Sequence, residues 1–116
     1  MRIQIKRAYD KYSTNDGYRI LVDDLWPRGI SKKKSHLNLW FKGIGPSTNL
    51  RKWYSHDESK WIEFKKDYLK ELRKNKNTVN DLLDIIDKHK KVTLIYSSKS
   101  PKNNAVVLLN FLLKFY

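Results

Sequence analysis

The chain predicts an α/β fold: a small, mostly parallel sheet of three to four strands flanked by helices, in a single domain over residues 1–116. Two observations carry that prediction. Ile20-Leu21-Val22 and Val92-Thr93-Leu94-Ile95-Tyr96 are β-rich runs without the alternation of a one-sided strand, so each is expected to be covered on both faces. The interval between them is filled largely by helical stripes, and a crossover through helices delivers a strand parallel to its neighbour.

In chain order, residues 3–8 alternate apolar and polar up to Ala8, which predicts a strand. Asn15-Asp16-Gly17 is turn chemistry, and Tyr18 to Val22 is the second strand. Trp26 precedes a proline and is therefore pushed into extended geometry, while Gly29 permits a sharp turn. Ser31 caps a helical turn through Ser35. Leu37, Leu39 and Trp40 fit strand and helix equally. Ser47 or Thr48 caps a short helix through Tyr54.

A long helix starts at Asp57 or Ser59, where Trp61, Phe64, Tyr68, Leu69 and Leu72 form one stripe. Asn75-Lys76-Asn77 ends it, and Thr78 caps a second helix with Val79, Leu82, Leu83 and Ile86 on its apolar face. After strand 92–96, Asn103 caps a final helix from Asn104 to Phe115. It is apolar nearly all round and is expected to pack on more than one side.

Composition narrows the function. With no cysteine there is no disulfide framework, thiol nucleophile or cysteine metal site. The opening MRIQIKRAYD is too short and too charged for a signal peptide, and no apolar run reaches membrane-span length. A cytoplasmic protein without membrane attachment is the expectation. A net charge of +13 favours anionic partners, either a small molecule or nucleic acid. Only six of the 25 basic residues are arginine, so lysine-rich composition is a competing explanation for the charge.

Three places can hold chemistry. The Ser97-Ser98-Lys99-Ser100 loop joins a strand to the Asn103-capped helix, an arrangement suited to an anion and equally to an ordinary serine-rich turn. Asp23 and Asp24, with Arg28 nearby, suit a divalent cation or acid–base work. Alternation along a strand would send the two carboxylates to opposite faces, however, and no third ligand is visible, so no metal site is expected. The plainer alternative pairs Asp23 with a buried arginine and leaves Asp24 solvated. Of three scattered histidines, His56 lies in an aromatic and basic setting and is the catalytic candidate, with helix capping as its ordinary role. Trp61 is assigned to the core, and Trp26 and Trp53 are the candidates for a surface or pocket role.

Larger segments carry a resemblance. They include Lys6-Arg7-Ala8-Tyr9-Asp10, Asp16 to Asp23, Leu25-Trp26-Pro27-Arg28-Gly29, Leu50-Arg51-Lys52-Trp53 and Val92 to Tyr96. Over almost its whole length the chain resembles the domain-of-unknown-function 488 family, in its YeaO-like branch. The resemblance implies a small α/β domain with no established activity, and its cofactor is unknown. The polar positions matching its pattern are Arg7, Asp23, Arg28, Ser47, Arg51, His56, Lys99 and Asn103. It also implies departures: Asp24 stands where arginine is usual, Ser100 where an acid is usual, and Asn104 where histidine is frequent.

Three functions compete. The first is an anionic small-molecule pocket of Arg28, Arg51 and Lys99 on one face, with Trp26 as a wall and His56 beside it. The second is a nucleic-acid accessory module using residues 28–34 and helix 59–76. The third is a protein-interaction domain without a ligand.

Overall fold

The computed structural model describes residues 2–116. Strands β1 (Arg2–Arg7), β2 (Tyr18–Leu21), β3 (Leu39–Trp40) and β4 (Lys91–Tyr96) form one sheet in the order β1-β4-β2-β3. All three pairings are parallel. Helices are α1 (Lys32–Ser35), α2 (Thr48–Tyr54), α3 (Trp61–Lys74), α4 (Lys76–Asp87) and α5 (Asn104–Leu113). The segment left open between strand and helix is β3, a two-residue edge strand fixed by its pairing to β2 rather than by its own pattern.

The two apolar runs are central and doubly covered. Ile20 pairs with Leu94, and both join Val22 and Val92 in a core with Phe64, Tyr68, Leu82 and Leu108 from the helices. One residue along, Leu21 pairs with Ile95 and Arg19 with Thr93, and all four are buried on the opposite face. That face carries a polar network. Arg19 Nη1 donates to Asp16 Oδ2 at 2.5 Å, Lys6 Nζ to the same carboxylate at 3.1 Å, and Thr93 Oγ1 to the Asp16 carbonyl at 2.6 Å. α5 packs on β1 and β4 and against α3, as its nearly uniform apolar surface requires.

Three caps fall where the sequence places them. Ser31 Oγ, Ser47 Oγ and Asn103 Oδ1 accept the amides of Lys34, Leu50 and Val106. The boundary between α3 and α4 differs from expectation. Asn75 alone separates the helices and Thr78 lies inside α4, because the Asn75 carbonyl accepts the Val79 amide at 3.0 Å and so begins the helix before Thr78. Asp57 caps a 3₁₀ turn, Glu58–Lys60, that leads into α3.

Candidate functional site

β2 ends at Leu21, and the chain bends through Asp23, Asp24 and Leu25. β4 ends at Tyr96 and enters the 97–103 loop before α5. Beyond these two carboxyl ends, the position where open α/β sheets bind ligands, lies a cavity of 740 Å³. Tyr54, Phe64, Leu25 and Pro46 give it apolar lining, and Arg51, Lys52, His56 and Lys99 bring basic groups to it. Asp23 and Asp24 both border it. Strand alternation does not separate them, because the strand has already ended.

Both carboxylates are engaged. Asp23 Oδ2 accepts the Ser97 amide at 2.9 Å and Oδ1 accepts the Asn104 side-chain amide at 3.0 Å. Burial raises the Asp23 pKa above the ordinary aspartate value, and these hydrogen bonds oppose the shift without cancelling it. Asp24 Oδ1 accepts the Gly43 amide at 2.8 Å, so its exposed carboxylate braces the 43–45 loop. Asp23 therefore does not pair with a buried arginine. The buried arginine is Arg19, and its partner is Asp16. The cations are placed differently: the three ion pairs among the described residues involve Lys6, Arg19 and Lys102, none of them Arg51, Lys52 or Lys99.

His56 follows α2 in left-handed backbone, φ 60°, directly after Ser55 at φ 44°. Two consecutive non-glycine residues in that region are unusual and costly. Their geometry turns His56 toward the 97–100 loop, where Nδ1 lies 3.4 Å from Ser98 Oγ, the outer limit of a hydrogen bond. Among the described residues no cluster of histidines and carboxylates is arranged to hold a metal.

Asp23, Arg51, His56, Lys99 and Asn103 thus converge on one cavity, and Arg7, Trp26, Arg28 and Ser47 do not line it. Arg7 stands behind the loop: Nε donates to the Ser98 carbonyl at 2.9 Å and Nη2 to the Ser97 carbonyl at 3.1 Å. Trp26 Nε1 donates to the Ile30 carbonyl at 2.6 Å and its ring meets Trp40 edge-on at 5.3 Å. That closed turn, with Gly29 at φ 81°, carries Arg28 away from the cavity, so the expected grouping of Arg28 with Arg51 and Lys99 is not formed. Ser47 is occupied as a cap, its hydroxyl also donating to Glu71 Oε2 at 2.6 Å. Ser97, Ser98 and Ser100, from the loop the sequence singles out, line the cavity as well, whereas sequence reading missed Lys52, whose only signal was its adjacency to Arg51.

The arrangement is a small all-parallel α/β domain with a cleft at its strand ends, apolar within and rich in basic side chains. The chain belongs to the family described as the inactive DUF488-N3 subclade, whose model matches residues 2–116. It is similar to the uncharacterized protein YeaO of Escherichia coli K12, with 45% identity over 113 residues, 97% of each chain. It is also similar to uncharacterized proteins of Mycobacterium bovis and Mycobacterium tuberculosis H37Rv, each 39% identical over 71 residues, 61% of this chain and 60% of theirs. No solved structure matches the chain significantly. No helix among the described residues is long and apolar enough to cross a membrane.

Proposed function

We propose that the cleft binds a small anion, a phosphate or carboxylate compound with an apolar portion, and holds it without chemical conversion. The observation that carries this reading is the asymmetry of the cleft's charges: Arg51, Lys52 and Lys99 take no part in an ion pair among the described residues, whereas Asp23 and Asp24 are committed to protein amides. Lys99 and the start of α5 come from one side and Arg51 and His56 from the other, so an anionic head group between them would gain charge-assisted hydrogen bonds. Tyr54 and Phe64 would receive the apolar part. The name of the subclade supports binding over catalysis, as does His56, whose neighbour is Ser98 and not a carboxylate.

The test is a thermal-shift comparison of inorganic phosphate, nucleoside monophosphates and small carboxylates on the parent, Arg51→Ala, Lys99→Ala and Arg28→Ala. A true ligand at a hundred times its Kd stabilises by about 2.7 kcal/mol. That shift is expected to persist in Arg28→Ala, outside the cleft, and to fall in the other two. An equal shift in all four proteins, or none in the parent, defeats the proposal.

A further inference from the structure

A second concavity, 460 Å³, shares no lining residue with the cleft. It lies between the loop after β1 and the 29–36 segment, and Tyr9, Tyr12, His36, Lys11 and Lys34 line it. We propose that this groove binds single-stranded nucleic acid, by stacking unpaired bases on its rings and neutralising phosphates with its lysines.

The rings are exposed and held in place. Tyr9 is 45% and Tyr12 40% accessible, high values for large aromatic side chains. The Tyr9 hydroxyl donates to the Arg28 carbonyl at 2.8 Å, and the Arg7 guanidinium lies 4.9 Å from its ring centroid. Tyr12 stacks on His36 with centroids 4.0 Å apart and planes 10° from parallel, and Arg19 lies 5.4 Å from the Tyr12 centroid. Arg7 and Arg19 are themselves fixed, by the Ser97 and Ser98 carbonyls and by Asp16 respectively. Stacking a base here therefore costs little side-chain freedom.

The charge around the rings is one-sided. Lys32, Lys33 and Lys34 occupy the exposed turn that forms one wall, Arg28 is exposed beside it, and none of the four is in an ion pair among the described residues. The lining carboxylate, Asp10, accepts the Arg7 amide through Oδ2 at 3.1 Å. Fixed rings interleaved with free lysines suit an unstacked strand, whose bases offer their faces, and suit a duplex poorly, because its bases are already stacked.

The experiment is fluorescence anisotropy on the full chain with a labelled oligo(dT) or oligo(U), at about 50 mM salt and upward. Competitors are a duplex of equal length and polyglutamate. Lys33→Glu/Lys34→Glu is compared with Lys65→Glu/Lys66→Glu on α3, which changes the net charge equally at a remote, exposed place. The expected result is a salt-sensitive complex weakened at least about tenfold by the groove pair and much less by the α3 pair. Tyr9→Ala is expected to weaken it by about tenfold as well. Arg51→Ala should leave it unchanged, which separates this groove from the cleft. Equal weakening by the two lysine pairs overturns the proposal, and so does preference for duplex or polyglutamate, or no binding at low salt. Both lysine pairs are exposed, so their comparison stands even where Tyr9→Ala disturbs the fold.

Discussion

Asn104 donates its side-chain amide to Asp23 Oδ1 at 3.0 Å, tying the first residue of α5 to the chain that leaves β2. The Ser97 amide on Oδ2 adds the end of β4. One carboxylate thus joins the three segments that form the inner wall of the cleft. Asp23→Ala leaves the Ser97 amide without its acceptor and is expected to cost about 1–3 kcal/mol, against roughly 1 kcal/mol for Asn104→Ala. Urea unfolding should show a lower midpoint at unchanged slope for both.

Two aspartates are expected to titrate on opposite sides of the ordinary value of 3.8. Burial raises Asp23. Burial also acts upward on Asp16, but hydrogen bonds from Lys6, the Ser13 amide and Arg19 together outweigh it and hold the carboxyl below its usual value. The Asp16 contribution to stability is therefore present above the unfolded-state pKa and lost as pH falls through the lowered folded-state pKa. The Asp23 contribution runs the other way: it is largest below the unfolded-state pKa and lost as pH rises through the raised one. Carboxyl-carbon NMR titration reads both shifts directly, and Asp16→Asn should flatten the acid limb of stability. A flat profile in the parent below about pH 4 contradicts this.

Arg19 is 2% exposed, yet it is charged. Nη1 is paired with Asp16, Nη2 donates to the Ser35 carbonyl at 3.1 Å, and Nε has no partner among the described residues. Arg19→Met leaves the buried Asp16 with Lys6 as its one cation beside the Ser13 amide, and a loss of about 3–5 kcal/mol is expected. The double change Arg19→Met/Asp16→Asn should recover part of it, because no buried carboxylate is then stranded and the part-exposed Lys6 keeps the Lys11 carbonyl. Additive losses in the double variant would show that the pair is not the cause.

Gly17 sits at φ 67°, where an added Cβ would run into the Lys91 carbonyl. Gly17→Ala must shift the start of β4 against β2 and adopt a disfavoured backbone, the second effect alone costing about 1–3 kcal/mol. Calorimetry should register a clear fall in Tm. An unchanged Tm would mean that the two strands are free to separate there.

His56→Gly separates fold from function. Glycine accepts φ 60° without penalty, so stability should rise by up to about 1 kcal/mol. Affinity for the cleft ligand should fall, because the imidazole near Ser98 is gone. A loss of stability would show that the ring supports the fold.

Legibility from sequence followed the amount of local information at each place. β2 and β4 were readable because burial on both faces demands continuous apolar runs, and the caps at Ser31, Ser47 and Asn103 because short polar side chains there have one dominant use. β3 was not readable, since two residues cannot display a period. Lys99 was found through its loop between strand and helix, His56 through its aromatic and basic setting, and Arg51, inside α2, through the family pattern. Arg28 was misplaced because its direction depends on how the Trp26–Ile30 turn closes, which rests on Trp40, fourteen residues beyond Trp26. Asp24 was misread because a strand period was carried past the strand's last residue.

The strand order has a consequence for how the chain is made. β4 separates β1 from β2 and is hydrogen-bonded to both, although it is synthesised last of the four. A chain growing on the ribosome therefore holds two of its strands without a central partner until residues 91–96 emerge, and α5 must follow to cover β1 and β4. No sheet containing β1 can form earlier, and a product truncated before β4 leaves parallel strand edges open to proteases and to one another. The sheet closes only when its last-made strand takes its place in the middle.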